Sequence, residues 1–547
     1  MKNSKVSRLI SLAIISVFSF WIASCHKQNF ESSGSIELSK NAITLDSTSG
    51  SKDSITVYSP VAWQAVIAPG IDWLQIDKIS GGPGNTVVRL TFRSTNQPTT
   101  PGSATISFKA INGNTTQPAN LTVTLRSYSF SLDFYKAFGG TNYDAPGRSA
   151  IAKTADGGMV IAGVTNSHDG DLSNGHGGDD AWVLKLDRTG AVTWSKILGG
   201  SGEDAASSVT ATSDGGFEIA GYSNSHDGDV PRPHGGSDVW VVKLDADGNI
   251  IWSKTYGGSA NEAGRAIVST ADGGSAVVGF AGSEDGDVHG SHGGADVWVL
   301  RLNAQGDTLW TGTFGGSDWD EGSHIITTPD GGFALTGLTF SNDGDVIGYH
   351  TPTFIGADAW VVKLNSNGRK LWAKTLGGTG DDVGQSIVAA NGGGYLLTAY
   401  ATSADGDISD HHGNGLFNDI WVVRLDDDGN KIWSRTYGGR LDDAPTSLIT
   451  VSDGGYLLVG GTDSHDGDLA GDQAADYNMF ILKLDRNGDV QWSKKYGGTN
   501  DDAFFSVAVD NEGAFWLVGS TNSNDGDILN SGYHGDYDLW IARLFIQ

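Results

Sequence analysis

Residues 199–256 read GGSGEDAASSVTATSDGGFEIAGYSNSHDGDVPRPHGGSDVWVVKLDADGNIIWSKTY, and similar stretches fill the chain from about Phe130 onward. The doublet Gly-Gly opens seven such units, at 139, 199, 257, 315, 377, 438 and 497, with a period of 58–62 residues. Each unit also carries one Asp-Gly-Asp triplet. A fixed period of this kind is typical of supersecondary blocks that stack on their neighbours. A residue found in every unit is expected to serve the unit, whereas one found in a single unit is a candidate for binding.

The second unit predicts four strands. Ala205–Thr212 alternates in polarity and ends at the tight-turn signal Asp-Gly-Gly, after which Phe217–Tyr222 forms the second strand. A long loop then leads to the apolar strand Asp238–Leu244, and a further turn leads to Asn249–Tyr256. Four antiparallel strands repeated seven times predict an all-β fold with a seven-bladed β-propeller over residues 129–547.

Tryptophan recurs at matched positions of the third and fourth strands, where large aromatic side chains are expected to pack between blades. The positions are Trp182, Trp240, Trp298, Trp360, Trp421 and Trp540 in third strands, and Trp194, Trp252, Trp310, Trp372, Trp433 and Trp492 in fourth strands. The spacing Asp-x-x-Gly-x-x-x-Trp resembles the tryptophan-docking hairpins of quinoprotein propellers. The whole unit is similar to the delta-type repeats of bacterial surface proteins. A quinone cofactor is not expected, because the repeats contain no cysteine pair and no break in symmetry that suits such a pocket.

The two ends of the repeat region predict how the ring closes. The last unit stops at a third strand, Leu539–Gln547, and has no fourth. The segment Leu132–Phe138 matches Ile251–Tyr256 of the second unit, with Phe134 at the tryptophan position. Pairing of these two segments is expected to close the propeller and to remove both open sheet edges.

Residues 1–25 are expected to be a lipoprotein signal peptide. Lys2, Lys5 and Arg8 precede an apolar run that is too short to span a membrane comfortably. The residues Ile22-Ala23-Ser24-Cys25 resemble the lipobox of bacterial lipoproteins, in which the cysteine is diacylated; an ordinary secretory signal is the alternative. The resemblance implies lipidation of Cys25 and a location in the outer membrane, on the cell surface or the periplasmic side. Residues 26–34 would form a short tether.

Composition limits the partners. The net charge of −29 disfavours phosphate backbones, so a nucleic acid is not an expected partner, whereas cations are attracted. Cys25 is the only cysteine, so the processed chain would have none left for disulfides or catalysis. We expect a monomer.

Residues 35–128 predict a small immunoglobulin-like β-sandwich of short alternating strands. Trp73-Leu74-Gln75-Ile76, Gly81-Gly82-Pro83-Gly84, Val87–Leu90 and Ala104-Thr105-Ile106 follow the order of a BACON domain. The resemblance implies a Bacteroidetes-type surface protein. Carbohydrate binding is proposed for that family, although many members resemble spacers. Trp63 and Trp73 are candidates for stacking on a sugar or for the hydrophobic core.

Acidic loops predict either tight turns or calcium sites on one face of the propeller. Two carboxylates across a flexible glycine suit the oxygen-rich coordination of Ca²⁺, but Asp and Gly also favour Asx turns and positive φ. The candidate ligands are the triplet residues Asp169, Asp171, Asp227, Asp229, Asp285, Asp287, Asp343, Asp345, Asp405, Asp407, Asp466, Asp468, Asp525 and Asp527. Histidines in the same loops, among them His176, His234 and His292, repeat with the unit and are interpreted as loop packing rather than a zinc site.

A second set of acids follows each Gly-Gly by four residues: Asp144, Asp204, Glu262, Asp320, Asp382, Asp443 and Asp502. Paired acids suggest a glycoside hydrolase, but a catalytic pair needs two different environments and these positions are near-identical copies. Some proteins with such repeats are endoglucanase-like, so this hydrolase remains an alternative, and we assign no catalytic residue.

Departures from the repeat predict the ligand site. The third residue after Gly-Gly is aromatic in only two units, at Tyr143 and Trp319, and the lengthened loops of units four and five contribute Tyr349, Phe354 and Phe417. Aromatic rings edged by carboxylates suit stacking on sugars; a cluster that only pins the loops is the alternative. The preferred function is non-catalytic binding of a polysaccharide or glycoprotein, or scaffolding with a surface protein. A purely structural surface protein is the third possibility.

Overall fold

The computed structural model describes residues 35–46, 52–69, 71, 73–92, 102–111, 117–126, 128–172, 175–231, 233–350, 356–413, 415–470 and 477–546. Within these ranges the regular elements are β-strands and two short 3₁₀ turns, Gly467–Leu469 and Gly526–Ile528. The predicted all-β class is therefore confirmed. The expected signal peptide with Cys25, the tether at 26–34 and the predicted ligand residue Phe354 lie outside the described residues.

Nine strands precede the repeats and form two sheets around one hydrophobic core. They are β1 (Glu37–Leu38), β2 (Ala42–Asp46), β3 (Lys52–Ser59), β4 (Trp63–Ile67), β5 (Leu74–Ile76), β6 (Ser80–Gly81), β7 (Gly84–Phe92), β8 (Gly102–Ala110) and β9 (Ala119–Arg126). One sheet has the order β1-β3-β7-β5 and the other β2-β9-β8-β4-β6. Sequence patterning missed β2, β5 and β6, which are short and lie at sheet edges.

Both tryptophans of this region are core residues. Trp63 is fully buried and packs edge-on against Phe108, with 5.4 Å between ring centroids. Trp73 is 6% exposed and lies in the same core, which contains side chains of both sheets. Neither ring is therefore available for stacking on a sugar.

Each repeat contributes four antiparallel strands, and a single parallel bridge between Ser149 and Ser208 joins the strands of units one and two into one eight-stranded sheet. The strands are β10 (Phe130–Phe138), β11 (Asp144–Lys153), β12 (Met159–Thr165), β13 (Asp180–Leu186), β14 (Val192–Leu198), β15 (Asp204–Ala211), β16 (Phe217–Ser223), β17 (Asp238–Leu244), β18 (Ile250–Tyr256), β19 (Glu262–Ser269), β20 (Ser275–Ala281), β21 (Asp296–Leu302), β22 (Thr308–Phe314), β23 (Asp320–Thr327), β24 (Phe333–Thr339), β25 (Asp358–Leu364), β26 (Lys370–Leu376), β27 (Asp382–Ala389), β28 (Tyr395–Ala401), β29 (Asp419–Leu425), β30 (Lys431–Tyr437), β31 (Asp443–Thr450), β32 (Tyr456–Thr462), β33 (Asn478–Leu484), β34 (Val490–Tyr496), β35 (Asp502–Val509), β36 (Phe515–Thr521) and β37 (Asp538–Ile546). The four strands predicted for the second unit agree with β15–β18 to within a residue at each end.

The first strand of each unit lies at the centre of the assembly. In chain order β11, β15, β19, β23, β27, β31 and β35 each contact the next, and β35 contacts β11 in turn. Within a unit, the second and third strands are apolar and buried because they have neighbouring sheets on both faces. Repeated four-stranded sheets in this closed order form a β-propeller.

The outermost strand of the last sheet comes from the beginning of the repeat region. β10 pairs antiparallel with β37, with Phe130 opposite Ile546 and Phe138 opposite Leu539. The sheet order β10-β37-β36-β35 is therefore complete with four strands, as the match of Leu132–Phe138 to the second unit predicts. Pairing satisfies the backbone groups that would otherwise lie along an open edge.

The two tryptophan series have different roles. The third-strand tryptophans are at most 2% exposed and fill the space between sheets. Trp492 packs on Tyr128 and Phe130, whereas the other fourth-strand rings cover the turn of the following unit. A Cβ on Gly306 would lie 3.0 Å from Trp252, and the Trp252 indole donates to the Ala304 carbonyl. Phe134 lies in the same way against Gly190 of the first unit. This contact between neighbouring units explains why the turn keeps a glycine, since a side chain there would displace the ring.

Candidate functional site

The Asp-Gly-Asp triplets fasten two loops of each unit together. The first carboxylate accepts a hydrogen bond of 2.7–3.0 Å from the backbone N–H that follows Gly-Gly, in all seven units. The triplet glycine has φ between 59° and 67°, and in unit two a Cβ there would lie 2.1 Å from the Gly199 carbonyl oxygen. Only glycine fits this position without strain. These contacts account for the triplet by backbone geometry.

We call the surface formed by the Gly-Gly loops and the Asp-Gly-Asp loops the acidic face. Directly beneath it lie the acids that open the first strands, and each of them is at most 1% exposed. Their carboxylates accept from the second glycine N–H at 2.7–2.8 Å. In unit five, Asp382 also accepts from the Ser403 hydroxyl at 2.6 Å. These acids are bound to the loops and do not reach solvent.

A second buried acid opens the third strand and faces the first across the Gly-Gly loop. At the junction of units four and five, a Cβ on Gly377 would lie 2.5 Å from Asp358 Oδ1 and 2.7 Å from Asp382 Oδ2. Burial, together with a smaller effect of the charge of Asp358, raises the pKa of Asp382 to about 7. Burial likewise raises the pKa of Asp358 to about 6. Such a pair holds a proton near neutral pH, because two adjacent buried charges are costly.

Histidine holds the third-strand acid in six units. His350 donates its backbone N–H to Asp358 Oδ2 at 2.7 Å, and its ring Nδ1 lies 3.0 Å from the same oxygen. Its Nε2 lies 4.0 Å from Asp407 of the following unit. The interpretation of the repeated histidines as loop packing agrees with these contacts. The sixth unit has Asn478 in place of the acid.

Among the described residues, no group of three or more His, Cys, Asp or Glu side chains is arranged to hold a metal ion. The triplet carboxylates of Asp227 and its equivalents are already bound to backbone N–H groups. Calcium in these loops therefore remains a prediction from the sequence.

The two exposed aromatic residues predicted as ligand contacts both lie on the acidic face, on rings from the preceding unit. Trp319 is 43% exposed and packs on Phe280, with 5.0 Å between ring centroids. Tyr143 is 39% exposed and meets Tyr537 edge-on at 6.0 Å. A supported ring with a free face is the arrangement that stacking on a sugar requires.

Tyr349 and Phe417 of the lengthened loops occupy different settings. The Tyr349 hydroxyl donates to the Gly356 carbonyl within its own loop, which pins that loop. Phe417 is half-buried before β29. The ring that supports Trp319 is thus Phe280 and not a residue of these loops.

Sequence patterning missed the supporting residues. Phe280 is the penultimate residue of the second strand, and the same position holds Tyr222 and Tyr400 in two other units but smaller residues elsewhere. The Arg265 guanidinium lies 5.4 Å from the Phe280 ring, and its Nε donates to Glu321 at 2.7 Å. The departure of these positions from the repeat was the available signal.

A cavity of about 640 Å³ opens on the acidic face between units five, six and seven. The residues that line this cavity include Leu441, Asp442, Asp463, Tyr477 and Asp501. A Cβ on Gly461 would lie 2.0 Å from the Tyr477 ring, so the glycine makes room for this aromatic wall. Carboxylates beside an aromatic ring can accept hydrogen bonds from sugar hydroxyls while the ring covers the apolar face of the sugar.

No protein-family model matches the chain. The chain is 25% identical over 381 residues to the regulatory protein FlaEY of Caulobacter vibrioides, covering 62% of this chain and 39% of that protein. It is 21% identical over 384 residues to an uncharacterized WD repeat-containing protein of Acanthamoeba polyphaga mimivirus, and the match covers 56% of this chain and 26% of that protein. The chain thus spans well under half the length of these relatives.

Similar solved structures include a protein of unknown function from Dyadobacter fermentans, at 12% identity and a TM-score of 0.40, covering 76% of this chain and 99% of that one. A Synechocystis apocarotenoid oxygenase is similar at 14% identity and a TM-score of 0.37, covering 71% of this chain and 87% of that one.

Across the part of the chain that the structure describes, no helix has the length and apolar character needed to cross a membrane.

Proposed function

We propose that this chain is a non-catalytic binding lipoprotein of the bacterial outer membrane. In this proposal a seven-bladed β-propeller binds a polysaccharide or glycoprotein on its acidic face. A BACON-like immunoglobulin sandwich at 35–128 acts as a spacer, and acylated Cys25 anchors the chain. The closed contact order of the first strands and the β10–β37 pairing support the count of seven blades.

One observation carries the binding function: Trp319 stands at a position that is not aromatic in most units, and its exposed ring lies on Phe280. A tryptophan exposed by 43% loses contact with water when a ligand covers it, and its support on Phe280 limits the entropy lost on binding. Tyr143 offers a second supported ring on the same face. The cavity beside Tyr477 adds carboxylates within reach of sugar hydroxyls.

The buried position of the repeated acids supports a non-catalytic function over the hydrolase alternative. A glycoside hydrolase needs two acids that flank the scissile bond. Asp382 and its equivalents are at most 1% exposed and are held by loop hydrogen bonds. A hydrolase would have to use other acids of this face, such as Asp442 or Asp501.

The test compares two tryptophan variants of the processed protein. Trp319→Ala should weaken binding on a glycan array and in titration by about 1–3 kcal/mol, the usual cost of removing an aromatic anchor, with little change in melting temperature. Trp252→Ala is the matched control, since its ring covers a turn at the outer strand; it should lower the melting temperature and leave binding by the folded protein intact.

Three outcomes oppose the proposal. Equal loss of stability and binding in both variants would make Trp319 a packing residue. Release of reducing sugars from polysaccharides would favour the hydrolase. Absence of any glycan or surface-protein binding by the wild type would favour a purely structural protein.

A further inference from the structure

The first strand of unit one carries an insertion that enters the centre of the ring. β11 has ten residues, whereas the other first strands have eight. In the pairing of β11 with β12, Pro146 lies opposite Gly163 and Ile151 opposite Ile161, so residues 147–150 have no partner on β12. In the corresponding pairing of unit two, β15 leaves only one residue without a partner on β16. Besides its neighbours β15 and β35, β11 contacts β19 and β31 across the ring. The insertion therefore narrows the central channel.

Two contacts direct the side chain of Arg148 away from the neighbouring sheet. A Cβ on Gly147 would lie 2.4 Å from the Ser207 carbonyl oxygen, so Gly147 is packed flat against β15. Ser149 forms a parallel bridge with Ser208. Because the residues on both sides of it are held against β15, Arg148 is left to project into the channel.

Arg148 enters a group of charges that is not balanced. Burial lowers the pKa of its guanidinium, the like charge of Arg265 lowers it further, and Glu321 opposes this effect. The Arg148 side chain nevertheless keeps an exposed surface. Arg265 already takes Glu321 through its 2.7 Å bond. Within the described part of the chain, no carboxylate forms an ion pair or hydrogen bond with Arg148, so the group carries one excess positive charge.

This positive group contrasts with the rest of the molecule. The chain has a net charge of −29, and the rim around the channel includes Asp179, Glu203 and Asp381. A polymer with a charge on every residue would be repelled by that rim. A single carboxylate could pass the rim and pair with Arg148, whose planar guanidinium suits bidentate binding of a carboxylate.

The channel is close to the aromatic platform. Phe280 connects the two, since Trp319 packs on one part of it and the Arg265 guanidinium lies 5.4 Å from its ring. Trp319 and Arg265 thus contact the same Phe280 side chain.

We infer that Arg148, with Arg265 beside it, binds the carboxylate of an isolated uronate residue in an otherwise neutral glycan chain. This inference rests on the proposed glycan-binding function and specifies the class of ligand.

The test uses a xylan oligosaccharide with one glucuronate branch, and the same oligosaccharide with its carboxyl group reduced to the alcohol. Wild-type protein should bind the acidic form at least tenfold more tightly than the reduced form, and the difference should shrink as salt is raised. Arg148→Gln should abolish this preference while keeping the melting temperature, because Arg148 is exposed and makes no structural ion pair. Arg188→Gln, at an exposed turn of the same unit, should retain the preference.

Equal affinity for both oligosaccharides, or an unchanged preference in Arg148→Gln, would overturn the inference while leaving glycan binding in place. Tighter binding of polygalacturonate than of the singly charged oligosaccharide would overturn the isolated-uronate assignment. Free glucuronate and glucose serve as a separate pair of probes in thermal-shift measurements. If glucuronate alone stabilises the wild type but not Arg148→Gln, and no oligosaccharide binds, the carboxylate site stands and the proposed glycan function fails. If neither glucuronate nor any oligosaccharide binds, both fail.

Discussion

Replacing Asp382 by asparagine should weaken the pH dependence of the protein's stability. Asp382 is fully buried, and burial raises its pKa from 3.8 to about 7. At pH values between these two pKa values, the Asp382 carboxyl is protonated in the folded state and ionised in the unfolded state. The free energy of unfolding therefore falls as pH rises through this window, and the stability is fully present only below the unfolded-state pKa.

The magnitude follows from the two pKa values. A pKa difference of one corresponds to about 1.4 kcal/mol. Asp382 thus disfavours the folded state by roughly 2 kcal/mol at pH 5 and roughly 4 kcal/mol at pH 8, relative to a group that stays neutral. Asparagine is neutral at both pH values and can still accept the bond from the Gly378 N–H. The substitution should therefore remove about 2–3 kcal/mol of the loss in stability between pH 5 and pH 8.

The assay is equilibrium unfolding by denaturant at both pH values for the wild type and Asp382→Asn, with Asp247→Asn at an exposed turn as the control. The quantity compared is the change in the free energy of unfolding between the two pH values. A destabilisation by the amide that is the same at both pH values therefore cancels. Other buried acids, such as Asp443 with its pKa raised by burial to about 7, leave part of the pH dependence in place. An Asp382→Asn protein with the same loss of stability as the wild type would show that Asp382 is ionised in the folded state, and the argument from burial would be wrong.

Deletion of residues 130–138 should lower the thermal transition of the whole propeller, because β37 loses its partner strand; an unchanged transition would mean that the ring closes in another way. If calcium occupies the acidic loops at ~100 times its dissociation constant, it adds about 2.7 kcal/mol to stability, so EDTA should lower the melting temperature. Asp227→Asn should then reduce that effect, whereas a chelator-independent melting curve with no bound metal would leave loop geometry as the only role of the triplet. Cys25→Ser should move the protein from the membrane fraction to the soluble fraction, and continued membrane association of this variant would contradict lipid anchoring.

The repeat made most of the strands of the propeller region predictable. Alternating polarity and the turn glycines predicted the ends of β15–β18 to within a residue. The prediction was possible because the same four-stranded pattern occurs seven times in the sequence. In the region before the repeats, β5 and β6 are only three and two residues long and were missed. Strands this short carry too few residues for a periodic signal.

The candidate site was predicted only in part. Trp319 and Tyr143 stood out because they break the repeat, and both are exposed on the acidic face. The extension of that site to Tyr349 and Phe417 rested on the lengths of neighbouring loops. The length of a loop does not determine where its side chains point, and the Tyr349 hydroxyl forms its hydrogen bond within its own loop.

The sequence by itself determined the all-β class, the unit, and the pairing of β10 with β37, since each depends on local periodicity or on a missing strand. Tertiary structure decided which acids are buried and which residues meet. Asp358 and Asp382 are 24 positions apart in the sequence and belong to different units, yet they face each other across Gly377. Arg148 and Arg265 belong to units one and three and approach only because the strands surround a common centre. Burial and charge pairing depend on distances through space, and those distances follow from the closed order of the sheets.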